Sequence, residues 1–458
     1  MTAKRDPYVL DGSLIADPPS SLWGRLKLLG PGLVLTASIV GSGELIATTT
    51  LGAQAGFAAL WIILISCVVK VAVQLQFGRH TIQTGETCLT AFNHLPGPAP
   101  RGVNWATWAW LLIQPAKMLQ VGGIIGTTAL LMNTMVPQLS VGSWAIVTAV
   151  IIAALVSGEG YRFIESMCVV LVGAFTVTTL IAVASLQWTD YAVSGTDLAE
   201  GLRFTLPVGG LLAAMGAFGL TGVGGDEIMH YTYWLIEKGY AAKTGPRIPG
   251  DAQWERRAKE WIKVMYLDAF VSMLVYTIVT AAFYLLGAAV LHARGEVPGA
   301  DEIVPTLSNM YTESLGDWAR GVFLAGAFVV LFSTLFSALA AWTRMVSDIC
   351  GQLRVIDFAD PAARRRTVNI SAWVIPLIWA AVFQWHGEPV NMVLLGGIGT
   401  ALILLISVAA SIHFRYGRTA PELQPGLLYD AALWISIASI IAVAGYTVFK
   451  TVGELTAA

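Results

Sequence analysis

The sequence predicts an all-α integral membrane protein: eleven transmembrane helices, arranged as a 5+5 inverted repeat plus one extra helix, with helices 1 and 6 broken. Three observations carry that expectation. The 458 residues are 56% hydrophobic and only 12% charged, with mean hydropathy +0.68, whereas soluble domains carry about 25% charged residues. Apolar runs of the roughly 20 residues needed to cross a bilayer recur along the whole chain, with no alternating strand pattern between them. Two of those runs are interrupted by one shared pattern, Val-Gly-x-x-Glu, at Val40-Gly41-Ser42-Gly43-Glu44 and Val223-Gly224-Gly225-Asp226-Glu227.

The spans fall at about 31–54, 57–78, 104–135, 141–157, 163–187, 207–235, 260–291, 318–346, 368–385, 389–414 and 430–450. The third is long and the fourth short. Basic residues test the count independently. With the amino terminus cytoplasmic, most of the 27 Lys and Arg fall on the inner side, including Arg79, Arg101, Arg162, the 237–259 loop, Arg364–Arg366 and Arg415. That bias is what the positive-inside rule requires, and one span more or fewer would scramble it. The carboxyl terminus is then outside.

Residues 1–30, polar and proline-containing, lack the basic-then-apolar order of a cleaved leader and read as a cytoplasmic tail. One transmembrane domain follows over 31–450, with repeat one at about 31–187, repeat two at about 207–414 and the extra helix at about 430–450. An odd number of helices per repeat inverts the second copy. A net charge of −2 carries no nucleic-acid signal. Cys67, Cys88, Cys168 and Cys350 stand singly, so neither a disulfide framework nor a zinc site is expected. No Ser/His or HExxH constellation lies in the spans, so an enzyme is not expected, and no cofactor is called for.

The two breaks are the candidate site. In hydrocarbon every backbone polar group must be satisfied, so unwound backbone persists only where it is buried in protein or lines a watery cavity. Gly41, Gly43, Gly224 and Gly225 allow unwinding, which frees carbonyls. Glu44, Asp226 and Glu227 add carboxylates at that depth, and intramembrane charges are functional by default. Ser42, Thr221 and Thr232 add neutral oxygens. An all-oxygen set suits Mg²⁺, Ca²⁺ and Mn²⁺. Mg²⁺ keeps several waters and binds through one or two carboxylates, and glycines leave room for such an ion. Packing of small residues explains the glycines but not the acids.

Other polar residues have structural readings beside functional ones. Asp268 in the seventh span can form a structural pair. Lys70 and Lys117 can snorkel or neutralise a buried acid. His230 and Tyr231 follow the second break by a turn, as gate or as a satisfied buried pair. Gly122, Gly123, Gly126, Gly396, Gly397 and Gly399 fit close helix packing as well as any functional role. Met215 and Met229 read as core filling.

With these residues in hand, the chain resembles the Nramp family of divalent-metal transporters over most of its length. Gly30-Pro31-Gly32 opens the first span as in that family, Gly52-Ala53-Gln54-Ala55-Gly56-Phe57 follows the first break, and Thr84-Gly85 follows the second span. The resemblance implies a LeuT-type fold with a metal held between helices 1 and 6. The departures matter as much. Where the family carries Asp-Pro-Gly-Asn, this chain has Gly41, Ser42, Gly43 and Glu44. Where it carries Met-Pro-His-Asn, this chain has Gly224, Gly225, Asp226 and Glu227. The family's third-span acids fall on Gln120 and Gly123, and its following sixth-span histidine on Tyr231.

That pattern is similar to the Nramp-related magnesium transporter branch. The resemblance then implies uptake of Mg²⁺, and of Mn²⁺, by alternating access without proton coupling. Glu44 and Asp226 would attract the ion, with Glu227 and Ser42 next. The partners expected are the divalent ion and the lipid bilayer; oligomeric state stays open. The alternatives are a proton-coupled Mn²⁺/Fe²⁺ symporter and an amino-acid transporter on the same scaffold.

Overall fold

A computed structural model describes residues 6–41, 43–158, 160–205, 211–297, 306, 308, 312, 316 and 319–457. Ser42 and part of the segment before the eighth expected span lie outside these residues. Among the described residues every regular element is helical. Eight helices among these residues are long and apolar enough to cross a membrane, and nine when Pro31–Ile39 and Gly43–Ala55 count as one bent span. Val141–Val156 is apolar but only 16 residues long. In the sixth expected window lie Leu211–Leu220 and Gly225–Lys238, each too short to cross alone at about 1.5 Å per residue.

The first break bends its two pieces by 48°. Its second piece starts as a π-helix, Gly43–Thr48, before the regular turn Thr49–Ala55. The break at Gly43 is a contact as much as a kink. A Cβ on Gly43 would stand 2.8 Å from the Leu220 carbonyl oxygen, so only glycine lets the two interrupted helices touch there. In the second break Gly222 adopts φ +65°, which favours glycine, and a Cβ there would lie 2.9 Å from Cys67 Cα.

The start of the first span is pinned by Asp268 on the long helix Ala252–Leu286. Its carboxylate accepts the Gly30 N–H at 2.9 Å and the Gly32 N–H at 2.7 Å, and the Tyr231 hydroxyl donates to it at 3.0 Å. Two orphan amides of a helix start are thereby satisfied. Gly32 permits the approach, since its Cβ would meet the Asp268 carbonyl at 2.8 Å. The Gly-Pro-Gly opening thus serves this junction. Asp268 is a cap.

The third span, Trp105–Met135, packs closely on Pro361–His386 and Pro389–His413 through small residues. Gly396 abuts Gln120, Gly126 abuts the Phe383 ring, and a Cβ on Gly123 would come 2.5 Å from the Pro389 carbonyl. These contacts feed Lys117 and Gln120 toward the breaks. The polar amino-terminal stretch lies against the molecule: Ala16 N–H donates to Lys243 O at 3.0 Å and Trp261 Nε1 to Ala16 O at 2.9 Å. Beyond the second break, Glu237 accepts from Arg344 Nε at 3.0 Å and from the Tyr8 hydroxyl at 3.0 Å, closing that end of the bundle.

Replacing Asp268 by Ala strands the Gly30 and Gly32 amides in a dry interior, at about 1–3 kcal/mol per unsatisfied group. The detergent-purified variant should melt clearly below the parent. Equal melting temperatures would remove the capping role.

Candidate functional site

The two breaks meet around buried charges, each met by a group of the opposite polarity. Glu44 is fully buried. Its Oε2 accepts the Gly41 N–H at 3.1 Å and its Oε1 the Gly222 N–H at 3.4 Å. One carboxylate thus bridges the unwound turns of both helices. Lys70, also fully buried, donates its ammonium to the Phe218 carbonyl at 2.9 Å and to the Thr221 carbonyl, 5.4 Å from the Phe218 ring centroid. The carbonyls freed at the end of Leu211–Leu220, where the helix dipole is negative, are met by a lysine. The Thr221 hydroxyl donates to Ser66 Oγ at 2.8 Å.

In front of this layer lies a cavity of about 60 Å³, lined among others by Ser38, Gly43, Lys117, Gln120, Gly224, Asp226, Glu227, His230, Thr334 and Thr400. A cavity needs about 10–15 Å³ to admit one water, so this one has room for more than one. Asp226 and Glu227 occupy the first turn of Gly225–Lys238, where the positive helix end favours acids. Glu227 accepts the Ser38 hydroxyl at 3.3 Å and folds back onto Gly224, leaving no space for a side chain there. Lys117 Nζ stands 2.9 Å from Asp226 Oδ2, yet neither Asp226 oxygen is in hydrogen-bonding geometry with any group. The ammonium donates to Thr400 Oγ1 at 2.6 Å and to Gln120 Oε1. Both ring nitrogens of buried His230 lack a partner.

Of the residues expected at the site, Asp226, Glu227, Gly43 and Gly224 line the cavity. Glu44 is turned to the Gly41 and Gly222 amides behind it, and Thr221 belongs to the Ser66–Lys70 cluster. Gly41 abuts Thr334, which would collide with any side chain there. Ser42 lies outside the described residues. Among those residues no group of three or more His, Cys, Asp or Glu is placed to hold a metal ion, so the three acids do not form one ligand set. The lining also differs in kind from an oxygen-only set, because the His230 imidazole faces it. Lys117, Gln120, Thr400 and Gly222 join the lining beyond the expected set, and Lys117 neutralises the buried Asp226. The signal for Lys117 was its charge within a span; its partner depends on how the third span packs.

Among the described residues eight or nine helices are long and apolar enough to cross a membrane, and two interrupted helical segments meet at a polar cavity, the architecture of a multi-pass membrane transporter. Residues 32–450 match the family described as Nramp, natural resistance-associated macrophage protein-like. The chain belongs to the Nramp family. It is 25% identical to a protein named divalent metal cation transporter MntH from Xanthomonas campestris pv. campestris, over 84% of this chain and 79% of that one. Uncharacterized protein PM0681 of Pasteurella multocida is 23% identical over 93% of this chain and 92% of its own length. The fold is similar to that of a mutant manganese transporter of Eremococcus coleocola, with TM-score 0.72, 16% identity and coverage of 96% and 90%. MhsT in complex with L-phenylalanine shares it at TM-score 0.59 and 14% identity, over 95% and 99%. The LeuT-type architecture is therefore the fold.

Glu44→Ala should destabilise the protein by about 1–3 kcal/mol, because two buried amides lose their acceptor. Glu44→Gln, which keeps one carbonyl oxygen, should cost less. Thermal unfolding of the two purified variants checks the order; identical melting of both with the parent would contradict the bridging role.

Proposed function

We propose that this chain carries a small divalent cation across the membrane, Mg²⁺ first and Mn²⁺ as well, by alternating access and without proton coupling. One observation carries the reading: Asp226 and Glu227, in the first turn of Gly225–Lys238, line a polar cavity of about 60 Å³. The lining hydroxyls and amide of Ser38, Thr334, Thr400 and Gln120 can receive the waters of a hydrated ion. Mg²⁺ dehydrates reluctantly and binds through one or two carboxylates plus waters. Among the described residues no methionine or cysteine lines the cavity, and those are the soft donors that favour later metals. The names of the relatives, divalent metal cation transporter and manganese transporter, support the substrate class.

With the amino terminus inside, a cell-negative potential favours entry by roughly 2.3 kcal/mol per charge per 100 mV, twice that for a divalent ion. No second ion is needed to drive uptake. A carboxylate-bearing organic substrate fits less well. In broken-helix carriers such a group takes the backbone amides at helix starts, and here two acids, Asp226 and Glu227, stand in the first turn of Gly225–Lys238 and would repel it. One observation favours a second reading, proton-coupled Mn²⁺ transport: the unpartnered His230 imidazole in the lining is a borderline ligand.

Flux into proteoliposomes separates the two. Mg²⁺ should enter, excess Mg²⁺ should suppress Mn²⁺ entry, and internal pH should stay level. Asp226→Asn should cut flux about tenfold or more. Mn²⁺ entry that ignores Mg²⁺ and acidifies the lumen would replace this reading with the second.

A further inference from the structure

The cavity already contains a cation. Lys117 reaches it from the third span, with its ammonium beside Asp226 Oδ2, Thr400 Oγ1 and Gln120 Oε1. An ammonium has three donors and no acceptor, and here a carboxylate, a hydroxyl and an amide oxygen surround it. That is a hard-oxygen donor set of the kind that holds Mg²⁺ or Mn²⁺. The stem is given room by Gly399, where a Cβ would lie 3.3 Å from Lys117 Cδ. The side chain is nearly buried and borders the cavity.

We propose that Lys117 is a tethered competitor for the transported ion: its ammonium occupies the cation position at Asp226, and the ion binds by displacing it. The proposal rests on the reading of the cavity as a divalent-cation site and deepens it to selectivity. A singly charged ion offers Asp226 and Glu227 no more attraction than the ammonium already does, and it lacks the tether's local concentration. A doubly charged ion gains about twice the attraction at equal distance. Lys117 therefore sets a charge threshold that Na⁺ and K⁺ do not pass. A four-carbon flexible stem lets the ammonium withdraw without moving the third span. Asp226 is on a broken helix while Lys117, Gln120 and Thr400 are on the unbroken third and tenth spans. Exchange of ammonium for ion at Asp226 thereby releases a bond between those two parts of the fold.

The test is calorimetric titration of Mn²⁺, which both functional readings accept, into the purified full-length protein and its Lys117→Met variant. The dissociation constant for Mn²⁺ should fall about tenfold or more in the variant, equivalent to about 1.4 kcal/mol. Excess Na⁺ should weaken Mn²⁺ binding in the variant and not in the parent. Lys117→Gln, which keeps a hydrogen-bonding head toward Thr400, is read the same way should the Met variant not fold. Mn²⁺ binding that is equal or weaker in the folded variant overturns the competitor role and leaves the cation site standing. No Mn²⁺ binding by parent or variant overturns both.

Discussion

Charge at the centre of this fold is shut off from bulk water, and that constraint shapes everything around the two breaks. Moving an unpaired carboxylate or ammonium into a dry interior costs several kcal/mol, so each one acquires an internal partner. Glu44 takes the amides of both unwound turns, Lys70 takes the carbonyls at the end of Leu211–Leu220, and Asp226 takes Lys117. The glycines follow from these pairings. Gly43 lets the breaks touch, and Gly222 turns its N–H toward Glu44 from a backbone conformation other residues resist.

The pairings differ in how they can be undone. Glu44 and Lys70 are bound by backbone groups, which no ion can replace without unfolding a turn; they hold the breaks in shape. Asp226 is bound only by a side chain on a flexible stem, and its oxygens are outside hydrogen-bond geometry. Asp226 and Glu227, each met by a side chain, border open volume, and Glu44, held by backbone amides, does not. Structural charge and working charge are thus separated by the kind of partner each has.

Much of the architecture was legible in the sequence because hydropathy records it directly. The apolar windows hold helices, the third runs 31 residues and the fourth 16. The two breaks were legible from glycines beside acids. What could not be read was direction. Spacing puts Glu44 at the depth of Asp226 but does not say that its carboxylate turns back to Gly41 and across to Gly222. Lys117 stood out as a charge in a span, yet its pairing with Asp226 depends on the third helix packing on the tenth through Gly396 and Gly399. Tyr231 and His230 are adjacent, but only Tyr231 has a partner, because Asp268 lies on its side of the helix. The tail's contacts with Lys243 and Trp261 are equally tertiary, joining segments far apart in the chain.

The most direct measurement is anomalous diffraction from crystals of the full chain soaked in Mn²⁺. The account predicts a peak within coordination distance of Asp226 and beside Glu227, with the Lys117 ammonium swung away. A well-occupied ion elsewhere in the membrane region, with Lys117 still against Asp226, would contradict it.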